Sequence, residues 1–222
     1  MKVLKEFIKS FFAKHNVILQ YFSKDKADIF LLIRKIRKEK DFELSYSEAY
    51  MVYECVSNTM KLEGDIAEVG VWKGRSAKLI SEVKGNRSLH LFDTFEGLPE
   101  VDHNLDTNFS KGEYSSSLEN VKKYLSNYSN VFFHKGMFPA TAKAVTDKKF
   151  SLVHMDVDLF QSTFDALEFF YPRMVRGGVI ISHDYPDQEG VKKAIDQFYK
   201  NKPETIIKMI GSQCIIVSQG TH

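Results

Sequence analysis

Cysteine is nearly absent from this 222-residue chain, and its two examples, Cys55 and Cys214, lie far apart with no CxxC spacing. A disulfide framework and a zinc knuckle are thereby excluded as organising devices, and reduced thiols are expected. A surplus of one charge is also missing. Lys and Arg number 31 against 29 Asp and Glu, a net charge of +2, which argues neither for nor against nucleic acid until the charge is read locally. No long hydrophobic run occurs. The N-terminal MKVLKEFIKSFFAKHNVILQYF has apolar residues, but Lys5, Glu6, Lys9, Lys14 and His15 interrupt them, leaving neither a signal-peptide core nor a membrane span. A soluble, cytoplasmic protein without a membrane partner is expected. Internal repeats and low-complexity tracts are lacking too. What is present, 43% hydrophobic residues, is enough for one sizeable core and suits one α/β domain with an added segment.

The pattern changes at about Gly64. Before it, KADIFLLIRKIRKEK sets Ile29, Leu32, Ile33 and Ile36 at helical spacing, and SYSEAYMVYECVSNTMKL continues with Ser45 or Ser47 as a cap. Residues 1–63 thus read as a helical segment suited to acceptor or oligomer contacts, with homo-oligomer formation left open. The basic run Arg34 to Lys40 reads as a solvated helix face, so no nucleic-acid partner is expected. Over 64–222, the apolar runs DIAEVGV, SLHLFD, NVFFHKG, FSLVHMDVD and GGVIISHDY alternate with helical stretches at 76–83, 115–126, 141–147, 160–175 and 188–199. That alternation predicts a parallel sheet covered on both faces. ETIIKMI and QCIIVSQ, parted only by Gly211 and Ser212, read as a terminal hairpin that adds an antiparallel edge strand. The long connection 94–112, rich in Asp, Asn and Gly, reads as a mobile lid.

Ligands of an open parallel sheet sit beyond the carboxyl ends of its strands. Acids collect where four of the runs close: Glu68, Asp93, Asp156 with Asp158, and Asp184 beside His183. One such acid is ordinarily a cap or turn former; four on one rim point to a site. The stretch DIAEVGVWKGRSAKLI reads as strand, turn and helix start, which aims N–H groups at a ligand. Glu68 stands in its mouth and would repel a pyrophosphate, so the ligand is cationic or hydroxyl-bearing. Three residues separate Gly70 from Gly74, against the one and then two of the dinucleotide fingerprint, so NAD fits poorly. Asp93 lies near the distance at which a second-strand acid accepts ribose hydroxyls. Together with an antiparallel terminal strand, these acids point to S-adenosylmethionine, with Glu68 facing its cationic half. Among the aromatics near the pocket, Trp72 is the one expected to touch ligand, while Phe92, Phe95, Phe109, Tyr114 and Phe138 read mainly as core. His90 and His154 read as satisfied sheet histidines.

Five ordered motifs, AEVGVWKGRSAKLI, LFDTFEGLPE, KGMFPATA, LVHMDVDLFQSTFDALEFFYPRMVRGGVIISHDY and GVKKAIDQFY, resemble the macrocin O-methyltransferase family of the TylF and MycF type, over about residues 45–199. The resemblance implies a Rossmann-like class I methyltransferase fold: a mostly parallel seven-stranded sheet with an antiparallel last strand. It implies S-adenosylmethionine as cofactor, a divalent metal (magnesium, with manganese admissible), and a sugar hydroxyl of a small molecule as methyl acceptor. Around the cofactor it places Glu68, Gly70, Trp72, Gly74, Ser76, Asp93, Thr94, Gly136, Phe138 and Asp156. The first aspartate of the family's DVDLY pattern falls on Asp156, as metal ligand and general base. The family's paired aspartates fall on His183 and Asp184, as further ligands, and the histidine would soften an oxygen-rich site. Asp158 ranks below Asp156, as a helix cap or an outer hydrogen-bond partner.

Such a set has a chemical purpose. A sugar hydroxyl is a poor nucleophile at neutral pH; a divalent ion lowers its pKa and a carboxylate takes its proton. Two rival readings use the same residues. A metal-dependent hydrolase built from Asp156, Asp158, His183 and Asp184 leaves Glu68 and Asp93 without a purpose, and a catalytically silent S-adenosylmethionine-binding module would show no metal dependence.

Overall fold

The structure, a computed structural model, describes residues 26–39 and 42–220; the interrupted apolar run at the N-terminus lies outside the described residues, as does Lys40 of the basic run. Helix α1 (Ala27–Arg37) buries Ile33 and Ile36 and turns Arg34 and Lys35 to solvent. Helix α2 (Tyr46–Thr59) starts at a capping box: Ser45 Oγ accepts the Glu48 N–H, and the Ser45 N–H donates back to Glu48 Oε2 at 2.8 Å. No described helix is long and apolar enough to cross a membrane.

From residue 65 onward strands and helices alternate: β1 (Asp65–Val69), α3 (Arg75–Val83), β2 (Leu89–Asp93), α4 (Leu118–Tyr124), β3 (Val131–Lys135), β4 (Phe150–Met155), α5 (Phe160–Phe170), β5 (Met174–Ser182), α6 (Glu189–Tyr199), β6 (Ile206–Lys208) and β7 (Cys214–Val217). They form a seven-stranded sheet in the order β3-β2-β1-β4-β5-β7-β6, parallel except for β7. Antiparallel β7 lies between β5 and β6, so the sheet edge is β6 and not the last strand. The hairpin is longer than two residues, closed by Met209 N–H to Gln213 O at 3.0 Å. Residues 140–145 form a 3-10 helix, and the helix beginning at Phe160 ends at Phe170, where Pro172 cannot continue α geometry.

Strand alternation divides the apolar residues between two faces. Ile66, Leu89, Leu91, Leu152 and Ile181 pack under α1 to α4, and Ala67, Val69, Phe92, Val153, Met155 and Ile180 pack under α5 and α6. The segment before Gly64 shares the first core. The 94–112 connection is strapped instead of loose: Leu98 N–H bonds Glu113 O at 2.8 Å, Gly112 N–H bonds Leu98 O at 2.9 Å, and buried Asp106 accepts the Phe160 N–H at 3.0 Å.

One long-range tie joins α2 to the terminal hairpin. Glu48 Oε1 accepts both the N–H and the hydroxyl of Ser212 at 2.8 Å. Burial works to raise the Glu48 carboxyl, but the bonds from Ser212 and Ser45 outweigh it and hold the group at about 2. A folded pKa below the unfolded one gives stability that is present above about pH 4.5 and lost as pH falls toward 2, worth about 2 to 3 kcal/mol with partial solvent screening. Glu48→Gln is therefore expected to lower unfolding free energy at pH 7 by that amount. In denaturant titrations the gap to wild type should shrink below pH 4.5, and a gap constant with pH would refute the assignment.

Candidate active site

At Gly70 the chain leaves β1 with φ +84°. There is no space for a side chain, since an added Cβ would lie 1.8 Å from the Asp156 carbonyl oxygen. The Asp156 N–H in turn donates to Val69 O at 2.9 Å, which fixes Asp156 at the lip of the turn. Gly74, φ +76°, begins α3, and an added Cβ would meet Val121 Cγ1 at 2.8 Å. No side chain caps α3 at Gly74, and an uncapped helix start suits an anionic ligand group.

Asp93 at the end of β2 holds the turn. Its Oδ2 accepts the Val71 and Trp72 N–H groups, each at 2.7 Å, and its Oδ1 accepts the Phe95 N–H at 2.6 Å. A carboxylate has about four acceptor positions, so one remains for a ligand hydroxyl where two ribose bonds were expected.

These groups line a cavity of about 340 Å³, together with Trp72, Ser76, Thr94, Gly136, Phe138, Tyr114, Glu48 and Gln188, a volume within the small-molecule range. Trp72 meets Tyr114 edge-on at 5.6 Å. Phe138 stacks on Phe170 at 5.4 Å and so belongs partly to the core. Thr94 Oγ1 donates to Gly97 O at 2.8 Å, shaping the first turn of the strapped connection. Gly74 does not line the cavity; its contribution is the backbone conformation.

Three acids converge on the same cavity, Asp156 beside the turn and two others with it. One oxygen each of Asp156, Asp158 and Asp184 lies within 4.8 Å of the others. Asp156 and Asp158 follow the end of β4 and Asp184 follows the end of β5, and left-handed backbone at Asp158 (φ +62°) and Asp184 (φ +61°) turns the chain within three residues of each strand end. Burial pushes Asp158 up to about 8, reinforced by Asp156 and Asp184; burial and then Asp156 push Asp184 up to about 7. An all-carboxylate set short of positive charge fits a hard divalent cation such as magnesium or manganese.

Two expected site residues are placed otherwise. His183 is not in the carboxylate group. It continues the alternation of Val179 and Ile181 onto the α2 face, where it is 5% exposed; its Nε2 lies 2.7 Å from Gln213 Nε2 and its ring meets His154 edge-on at 5.0 Å. Burial lowers its pKa, so it stands as a neutral ring on the cavity wall, and the acid that groups with Asp156 and Asp184 is Asp158. Glu68 shares that face. It is fully buried, bonded to His154 Nδ1 at 2.8 Å, and absent from the cavity wall, so it cannot touch the cationic half of a ligand directly in this conformation. His90 is satisfied by Asp65 and His134, both at 3.1 Å, whereas His154 Nε2 and Glu68 Oε2 lack a hydrogen-bond partner. Glu48 and Asp106 had escaped notice. The Ser45-x-x-Glu48 capping box was a readable signal for the first; nothing local marks the second.

The family model for Macrocin-O-methyltransferase (TylF) matches residues 50–217. The chain belongs to the macrocin O-methyltransferase family. Among its curated relatives, demethyldecarbamoylnovobiocin O-methyltransferase of Streptomyces niveus is 27% identical over 66% of this chain and 63% of its own length. A Streptomyces olivaceus enzyme, 8-demethyl-8-(2,3-dimethoxy-alpha-L-rhamnosyl)-tetracenomycin-C 4'-O-methyltransferase, is 32% identical over 59% and 57%. The chain thus spans less than two thirds of either relative. Among solved structures, the O-methyltransferase NovP superposes with TM-score 0.69 at 23% identity, covering 78% of this chain and 80% of that one. An O-methyltransferase from Bacillus cereus in complex with SAH superposes with TM-score 0.56 at 12% identity, covering 95% and 97%. At those identities the likeness shows the fold: the family's site is built on a class I O-methyltransferase sheet.

The raised carboxyls set a pH dependence. Below about pH 7 Asp158 and Asp184 hold protons that a divalent ion must displace, so manganese affinity should climb between pH 6 and 8.5, by roughly tenfold per pH unit for each proton released. Calorimetry in buffers of different ionisation enthalpy would count the protons. Affinity flat across that window would mean that both groups are ionised without the ion.

Proposed function

We propose that the chain is an S-adenosylmethionine-dependent O-methyltransferase acting on a hydroxyl of a sugar or glycosylated small molecule, assisted by a divalent cation held by Asp156, Asp158 and Asp184. The observation that carries this reading is that one cavity is lined both by the glycine turn with Asp93 and by the three carboxylates, Asp156 adjoining the turn, in a member of the macrocin O-methyltransferase family. The sugar-bearing compounds in the names of the Streptomyces relatives support the choice of acceptor.

The residues divide the work. The uncapped start of α3 receives the carboxylate of the amino-acid portion of the cofactor, and Asp93 offers its remaining acceptor position to the ribose. With Glu68 beneath the wall, Asp156 is the acid at the lip of the turn and stands nearest the junction of cofactor and acceptor. Methyl transfer breaks the C–S bond of the sulfonium, leaves a neutral thioether, and forms a C–O bond to the acceptor oxygen; Asp156 takes the displaced proton. A bound divalent cation would lower the acceptor hydroxyl's pKa and orient it. Leu98, Pro99, Phe109 and Tyr114, on the strapped connection and the segment after it, wall the reaction from water.

The test is transfer of labelled methyl from S-adenosylmethionine, with magnesium or manganese, to a panel of sugars, nucleotide sugars, glycosides and catechols. Asp156→Asn is expected to lower the rate by about 10²- to 10⁴-fold, and chelation to abolish transfer while calorimetry still shows cofactor binding. Transfer that survives both treatments would sink the metal-assisted mechanism.

A further inference from the structure

We infer that Asp106 is a positioning residue for the carboxylate site, wedged between the helices that follow Asp158 and Asp184 and setting the spacing of those two acids. The inference rests on the metal reading above. Asp158 precedes α5 by one intervening residue, and Asp184 leads into α6 through its carbonyl, which accepts the Asp187 and Gln188 N–H groups at 3.1 and 2.8 Å. Neither helix is capped by a side chain at its own N-cap position. Asp106 supplies the missing cap from the strapped connection: its Oδ1 and Oδ2 accept the Phe160 N–H at 3.0 and 3.2 Å. The same carboxylate abuts the first turn of α6, where a Cβ added to Gly190 would come within 1.8 Å of Oδ1 and 3.0 Å of Cγ.

One residue therefore caps the start of α5 and packs against the start of α6. Asp106 is itself held by its N–H to Asp102 O at 2.8 Å, and Asn108 Nδ2 reaches Gln188 Oε1 at 3.2 Å beside it. It is 6% exposed and makes no ion pair among the described residues. Capping one N–H needs only a serine or asparagine. A buried carboxylate is the costlier choice: burial raises the Asp106 carboxyl, and the Phe160 N–H at the start of α5 works against it. If the two helix starts drift apart, Asp158 and Asp184 drift with them, and the close approach of the three acid oxygens is lost.

Manganese binding, followed by electron paramagnetic resonance at pH 8 with a thermal melt of each protein, tests the inference without any activity assay. Asp106→Ala, and Gly190→Ala, which keeps the acid but displaces it, should each bind about 10- to 100-fold more weakly than wild type, while Asp106→Asn, which keeps an acceptor for Phe160, should stay within about threefold. Unchanged affinity in Asp106→Ala with a native melt would overturn the proposal. So would an equal loss in Asp106→Asn, since charge and not held geometry would then be the cause. Should Asp106→Ala fail to fold, Gly190→Ala decides alone: weaker binding supports the wedge and wild-type binding rejects it. No manganese binding by the wild-type chain would instead remove the metal reading, and the inference with it.

Discussion

The site depends on how closely β1 and β4 approach at their carboxyl ends. The sheet order places β1 and β4 side by side while the chain from β1 runs outward to β2 and that from β4 runs outward to β5, so the two connections diverge and open a crevice between them. Gly70 lets the divergence begin at contact distance, with its α-carbon against the Asp156 carbonyl. Any side chain there would push the turn off β4. The turn would then lose its register with Asp93, whose three accepted N–H groups hold it in shape, and Asp156 would leave the lip.

A second constraint works against the first. Gathering three carboxylates within 4.8 Å stores repulsion, visible in the raised Asp158 and Asp184, and both of those residues occupy left-handed backbone that costs a non-glycine residue about 1 kcal/mol or more. Such an arrangement persists only if its surroundings over-determine it. Here those surroundings are β4 and β5, paired along Leu152 to Met155, and two helices rooted immediately behind the acids. The resulting charge deficit is what a hard cation would relieve.

Legibility in the sequence followed the range of the interactions. Strands β1 to β5 and helices α3 and α6 were readable because apolar runs and helical spacing are local. The strand-end acids followed from the fold class. The edge position of β6 was not readable, since insertion of β7 between β5 and β6 is a choice of pairing partner and leaves no mark on period or composition. That Asp158 and not His183 groups with Asp156 and Asp184 was not readable either: a family pattern names positions, whereas the grouping goes with left-handed backbone at 158 and 184. Glu48 and Asp106 act across 164 and 54 residues, on Ser212 and Phe160, and no window of sequence contains both ends.

The row beneath the carboxylates completes the electrostatic account. Glu68 and His154 are paired on one face of β1 and β4, His183, just past the end of β5, meets His154 edge-on, and Gln213 lies at the end of the row. Were Glu68 ionised and unpaired there, it would add a fourth negative charge under a cluster already short of positive charge. Burial raises the Glu68 carboxyl toward its neutral form; the His154 imidazole, disfavoured as a cation by its own burial, is raised on balance by Glu68 and then Asp156. The two groups meet at a 2.8 Å hydrogen bond, so Glu68 does not stand unpaired beneath the cluster. His183, lowered by burial, is a neutral ring. At 183, beside Gln213 and His154, a neutral imidazole is buried at less cost than a carboxylate would be, and it adds no negative charge to Asp156, Asp158 and Asp184.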